Sequence, residues 1–166
     1  MVQSDVLVVI DLQNGVNSAD YPLVNLENVL HGVNQRIGNY RHAEKPVIFV
    51  QHVDEELVIG SDAWALMPML DNRPTDIYIN KTHANSFYKT ALPTILDNLN
   101  VQKIEFCGAQ TEYCVDTTIR FAHGLGYDCY MMRGLHTTAD SDLIDAKTIM
   151  AHHSMIWDRR FLHFFE

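Results

Sequence analysis

The chain alternates between two hydrophobic rhythms, and that alternation leaves few folds open. Short runs of β-branched, aromatic and apolar residues stand at Val6 to Ile10, Val47 to Val50, Ile77 to Ile79, Ile104 to Cys107 and Tyr127 to Met132. Between them the apolar residues fall three and four apart, as in Leu26, Val29, Leu30, Val33 and Ile37, which is the spacing of amphipathic helices packed on a sheet. The Lys45-Pro46 pair ends the first helix and starts the second strand. Further helices are predicted over Thr90 to Leu99, Thr111 to Leu125 and Asp142 to His153, the last with Asp140, Ser141 or Asp142 as its N-cap. Such a strand–helix–strand series builds an α/β fold: a three-layer α/β/α, Rossmann-like architecture around one mostly parallel sheet. The expected organisation is a single domain over residues 1–166, since no repeat or linker interrupts the series.

Composition removes several function classes. Lys and Arg total 12 against 21 Asp and Glu, a net charge of −9, and an acidic field of that size repels phosphate backbones. No nucleic-acid partner is expected. No apolar run reaches the roughly 18 residues needed to cross a bilayer, and the N-terminal run closely follows Asp5, unlike a secretory signal. A cytoplasmic protein is expected. Cys107, Cys114 and Cys129 are odd in number and lack CxxC spacing, against both a disulfide framework and a cysteine-rich zinc site.

In parallel sheets ligands bind beyond the carboxyl ends of strands, so the residues after each run carry the functional reading. The first strand delivers Asp11, a position suited to a general base and equally to a turn or cap. The third delivers Lys81, a local cation or plain surface. The fourth runs into Cys114, placed by the prediction near a helix N-terminus, where the macrodipole favours a thiolate. An isolated cysteine is otherwise a small buried hydrophobe. An acid, a cation and a thiol after three separate strands form a set with chemical meaning.

Three segments, VVIDLQNG at Val8 to Gly15, KTHANSFYKT at Lys81 to Thr90 and GAQTEYCVDTT at Gly108 to Thr118, resemble the isochorismatase-like cysteine hydrolase superfamily. The resemblance spans most of the chain. It implies Asp11 as the acid/base, Lys81 as the activating cation and Cys114 as the nucleophile of a thioester mechanism on small amide, ureide or carbamoyl compounds. It also implies a cis peptide between Ala109 and Gln110, an oxyanion hole from the Gln110 and Cys114 amides, and a homo-oligomer, a dimer or tetramer. Relatives that act as nicotinamidases bind a metal through an Asp-x-His pattern after the second strand. Here that stretch reads Gln51, His52, Val53, Asp54, so no metal and no cofactor is expected, although an atypical site at His52 stays open. The adjacent His152 and His153 point about 100° apart on a helix and are read as helix-end residues.

Gln13, Trp64, Phe87 and Tyr113 are candidates for the substrate pocket, with core packing as the other reading for the aromatics. The long segment Asp54 to Pro74 is a candidate lid, in which Met67 and Met69 either cover a ligand or fill gaps. Cys107 and Cys129 are read as core. The apolar run Met155 to Phe164 is expected to cover a sheet edge or a neighbouring subunit. Two other readings remain beside the hydrolase: a non-catalytic small-molecule binding protein that keeps the fold, and a nicotinamidase with an unusual metal site.

Overall fold

The computed structural model describes residues 4–165. All five runs are strands, within two residues at each end: β1 Val6–Ile10, β2 Val47–His52, β3 Ile77–Lys81, β4 Lys103–Ala109 and β5 Asp128–Met132. Two short strands join them, β6 His136–Thr137 and β7 His163–Phe165. The order is β3-β2-β1-β4-β5-β7, with β6 also on β4, and every pairing of these strands is parallel. The helices are α1 Leu26–His42, α2 Leu92–Asn98, α3 Asp116–Gly124 and α4 Ala146–Trp157.

The sheet separates two cores. Val6, Val8 and Ile10 of β1 pack with Leu96 of α2, Ile119 of α3 and Trp157 of α4. Leu7 and Val9, on the opposite face, pack with Val29, Val33 and Ile37 of α1. Because both faces of β1 are covered, the strand reads as an unbroken apolar run without polar alternation.

The strand order reverses at β1. From there the chain builds outward through β2 to β3, then returns across α2 to place β4 on the other side of β1. The carboxyl ends of β1 and β4 therefore flank the crevice in which such sheets bind ligands. The two strands come together closely at Gly108. This glycine has φ of 129°, and a Cβ there would lie 2.1 Å from the Ile10 carbonyl oxygen, so no other residue fits without moving a central strand.

Several element ends differ from expectation. The helix predicted from Thr111 opens instead with a π-helical turn, Thr111–Val115, and α3 proper starts at Asp116. The α4 cap is Asp145, whose carboxylate accepts from the Thr148 N–H at 2.9 Å, whereas Asp140 reaches past it to the Ala146 N–H at 2.8 Å. The helix also runs beyond His152 and His153 to Trp157, because the buried indole gives its last turn an anchor. The two histidines thus sit inside the helix rather than at its end. The C-terminal run does cover a sheet edge, pairing β7 with β5. Met67 and Leu70 of the long segment are core, so only its first residues are free to act over a site.

Buried under α1 lies an ion pair that the linear patterns do not announce. Arg36 donates through Nε and Nη2 to the two carboxylate oxygens of Glu105 on β4, at 2.6 and 2.7 Å, and the Tyr40 hydroxyl adds a bond of 2.8 Å.

Candidate active site

Asp11, Lys81 and Cys114 come together beyond the strand ends. Asp11 follows β1 directly, in a left-handed backbone conformation with φ of 48°. Lys81 closes β3, where the β2–β3 register sets it beside His52. Both Asp11 and Lys81 are 2% exposed. The ammonium donates to Asp11 Oδ2 at 2.7 Å and to Cys114 Sγ at 3.2 Å, and its Nζ lies 3.0 Å from His52 Nδ1. An ammonium has three protons and no acceptor, so these three partners account for all of them.

Protonation follows from those contacts. Burial first, and the Lys81 charge second, hold His52 below the ordinary imidazole range against the opposite pulls of Asp11 and Asp54. A neutral His52 facing an ammonium accepts through Nδ1 and carries its proton on Nε2, which lies 3.4 Å from Asp54 Oδ2. The Cys114 thiol is pushed up to about 12, by burial and then by the Asp11 charge, while Lys81 pulls the other way. Cys114 does stand near a helix N-terminus, two residues before α3, but these contributions favour its thiol over the expected thiolate. Cys114 lies in the π turn, largely buried beside a carboxylate, and it rests as the neutral thiol.

The π turn is clamped from below. Val115 N–H reaches back five residues to the Gln110 carbonyl at 3.2 Å. Thr111, which opens the turn, has its hydroxyl 2.9 Å from His136 Nδ1, and His136 Nε2 lies 3.0 Å from the Ser154 hydroxyl. On the other side Trp157 Nε1 donates to Asp116 Oδ1 at 2.6 Å. Such π turns recur at functional sites, and this one carries Cys114 at the start of α3. The peptide joining Ala109 to Gln110 is cis.

Above Cys114 opens a cavity of about 700 Å³. Asp11, His52, Gln110 and Cys114 line its floor, and Tyr113 stands at its wall. The other pocket candidates lie elsewhere. Gln13 is fully buried, and its amide bonds His52 N–H, the His52 carbonyl and the Trp64 carbonyl at 2.7, 3.0 and 2.9 Å, so it fixes the backbone that carries His52. Trp64 turns its indole N–H toward Asn80 Oδ1 at 3.3 Å. Phe87 belongs to the core, against Phe121 and Tyr127. Burial took Gln13 and Phe87 out of the cavity, whereas Trp64, half-buried, stands outside its lining. The wall is formed instead by Tyr21, Asp54, Glu56, Glu112, Asp140 and Asp142, which come from polar loops with no hydrophobic period to mark them.

A metal does not fit this floor. Asp11, His52 and Cys114 are the group among the described residues whose ligand atoms converge, all within 4.8 Å of one another. The Lys81 Nζ already lies within hydrogen-bonding distance of an atom of each of the three. A divalent ion drawing on the same donors would meet that ammonium at contact distance.

A parallel α/β sheet that brings a carboxylate, an ammonium and a thiol together at its switch point defines the class of protein as an α/β hydrolytic scaffold. The chain belongs to the isochorismatase family, whose isochorismatase domain matches residues 5–157. A crystal structure of an isochorismatase family protein superposes with a TM-score of 0.96 at 50% identity, covering 97% of each chain. The isochorismatase family protein YddQ of Bacillus subtilis is 29% identical over 157 residues, which is 89% of this chain and 84% of that one. The ureidoacrylate amidohydrolase RutB of Agrobacterium fabrum is 27% identical over 93 residues, 56% of this chain and 41% of the relative. The chain is an isochorismatase-family hydrolase. None of its helices, among the described residues, is long and apolar enough to cross a membrane.

Proposed function

We propose that the protein hydrolyses the C–N bond of a small amide, ureide or carbamoyl compound, without a metal, through a Cys114 thioester. The observation that carries this reading is the Lys81 ammonium, which bridges Asp11 Oδ2 and Cys114 Sγ at 2.7 and 3.2 Å on the floor of an open cavity. The amidohydrolase name of one relative supports the choice of bond.

Because the thiol rests protonated, attack and deprotonation are coupled. As Cys114 Sγ forms its bond to the substrate carbonyl carbon, its proton passes to Asp11 and the carbonyl π pair moves onto oxygen. The Gln110 and Cys114 backbone N–H groups receive that oxyanion, each such donor contributing about 3 to 4 kcal/mol in related acyl-transfer sites. Collapse breaks the C–N bond, and Asp11 returns the proton to the departing nitrogen. Water then gives a proton to the same carboxylate and attacks the thioester. Its collapse releases the acid product, and Cys114 takes the proton back. Lys81 holds Asp11 in place throughout and offsets negative charge on sulfur as it forms and leaves.

The substrate is a small molecule, and the chain assembles with copies of itself. Leu143, 92% exposed beside the wall residue Asp142, supports a second copy packing near the cavity mouth.

Ammonia release from a panel of primary amides tests the chemistry, together with mass spectrometry of the enzyme quenched during turnover. The native protein is expected to release ammonia and to carry an acyl mass on Cys114, and Cys114→Ala to do neither. Equal release by Cys114→Ala would overturn the reading.

A further inference from the structure

The floor of the cavity is electrically balanced and its wall is not. The Asp11 and Lys81 charges cancel within one ion pair, and His52 is held neutral. Around them Asp54, Glu56, Glu112, Asp140 and Asp142 line the cavity from two loops and the π turn, and no Lys or Arg lines that wall. Net acidity alone does not account for this. At the chain's ratio of 12 basic to 21 acidic residues, the five wall carboxylates would be accompanied by about three cations if the charge were spread evenly.

Two buried carboxylate oxygens on residues of this lining are unanswered. Asp11 Oδ1 is buried and has no hydrogen-bond partner, and the same holds for Glu112 Oε2. Both residues line the cavity, and a buried carboxylate oxygen without a donor is costly unless a ligand or water supplies one. Tyr21 and Tyr113, 60% and 56% exposed, add aromatic faces to the same wall, and such faces attract organic cations. No three of the wall carboxylates converge as metal ligands, among the described residues, so the wall is shaped for an extended charged group rather than an ion.

We infer that the substrate is a cationic amide, one that bears an ammonium, amidinium or guanidinium group held by Glu112 and its acidic neighbours while the scissile carbonyl meets Cys114. The inference rests on the hydrolase reading for the reaction and adds the charge of the substrate. A substrate bearing a carboxylate would be excluded by the same wall.

The test separates the two claims. Cys114 is labelled with three methanethiosulfonates of similar size, carrying a trimethylammonium, a sulfonate or no charge, and the rates are compared with those of N-acetylcysteine amide. The ratio of cationic to anionic reagent cancels the thiolate fraction, which all three share. It is expected to exceed the free-thiol ratio by about tenfold or more at low salt, and to fall as salt is added. The triple variant Glu56→Gln, Glu112→Gln, Asp142→Asn should bring the ratio close to that of the free thiol. If that variant does not fold, Glu112→Gln alone should lower it about twofold. In parallel, 6-aminohexanamide, hexanamide and adipamic acid are offered as a matched set of amides, with kcat/KM expected to fall in that order.

A labelling ratio no greater than that of the free thiol would overturn the cationic substrate, as would faster turnover of adipamic acid than of 6-aminohexanamide. In either case amide turnover that needs Cys114 would leave the hydrolase reading standing. Conversely, Cys114→Ala releasing ammonia as fast as the native protein would remove the hydrolase reading, and the labelling ratio would still decide the charge preference of the cavity.

Discussion

The protein buries two ion pairs and completes only one of them. Beneath α1, both oxygens of Glu105 are occupied by Arg36, and Tyr40 adds a third bond. At the strand ends, Lys81 occupies Asp11 Oδ2 while Oδ1, buried, has no hydrogen-bond partner. Burial is nearly equal, since all four charged side chains are 3% exposed or less. The difference therefore lies in valence. A structural pair fills its hydrogen-bonding capacity and so offsets the cost of leaving water, whereas a reactive pair keeps one acceptor free for a proton that is yet to come.

Opposite responses to substitution follow. Asp11→Asn removes the proton acceptor but keeps a side-chain oxygen for the Lys81 ammonium. Amide turnover is expected to drop by about 10³-fold or more, and unfolding in urea to change by under about 2 kcal/mol. Glu105→Leu leaves the Arg36 guanidinium buried without an anion. Stability is expected to fall by about 3 to 5 kcal/mol, with turnover per folded molecule retained. The double variant Arg36→Met, Glu105→Leu should recover most of that loss, because two apolar side chains carry no desolvation cost. If Asp11→Asn destabilised the protein as much as Glu105→Leu, the two pairs would be alike and the distinction would fail.

His136 belongs with the completed set. Both of its ring nitrogens are engaged, by Thr111 and Ser154, and its ring edge meets Trp157 at 5.0 Å between centroids. Burial, with a smaller contribution from His153, lowers its pKa to about 4. The unfolded chain titrates near its ordinary 6.5, so on acidification the unfolded state takes up the proton first. Stability from this residue is complete above pH 6.5 and is lost as the pH falls toward 4, by about 3 kcal/mol in total. Urea titrations across that range should show a shallower acid decline in His136→Gln than in the native protein.

The centre of the sheet was legible because β1, β2 and β4, covered on both faces, write themselves as apolar runs, and Asp11, Lys81 and Cys114 were legible from their places at strand ends together with the family resemblance. What escaped was carried by tertiary geometry. His52 joins the floor through cross-strand register with Lys81, a relation between residues 29 apart that no local spacing records. The π turn replaced a plain helix start because His136 and Trp157 grip it from elements far along the chain. Phe87 and Trp64 stood near the motifs and looked like pocket residues, but packing drew Phe87 into the core and Trp64 turns its indole toward Asn80. Asp142 was read as a candidate helix cap and Glu112 only as part of a motif, and the fold is what shows that they share one wall. Glu105, an acid inside a strand, was the one visible sign of the structural pair, and nothing in the sequence pointed from it to Arg36.

The smallest test concerns how complete the structural pair is. Tyr40→Phe removes one neutral donor from Glu105 Oε2 and leaves the ring packed among the α1 core residues. Arg36 Nη2 still donates to that oxygen at 2.7 Å, so the carboxylate is not abandoned. The loss is then one hydrogen bond to a charged group, about 1.5 kcal/mol in urea unfolding, well below the effect of Glu105→Leu. A loss as large as that of Glu105→Leu would mean that Tyr40 is essential to satisfying the carboxylate. Such a result would leave Glu105 short of a hydrogen-bond donor in the variant, as Asp11 is in the native site, and would reduce the contrast between the two pairs to a single hydroxyl.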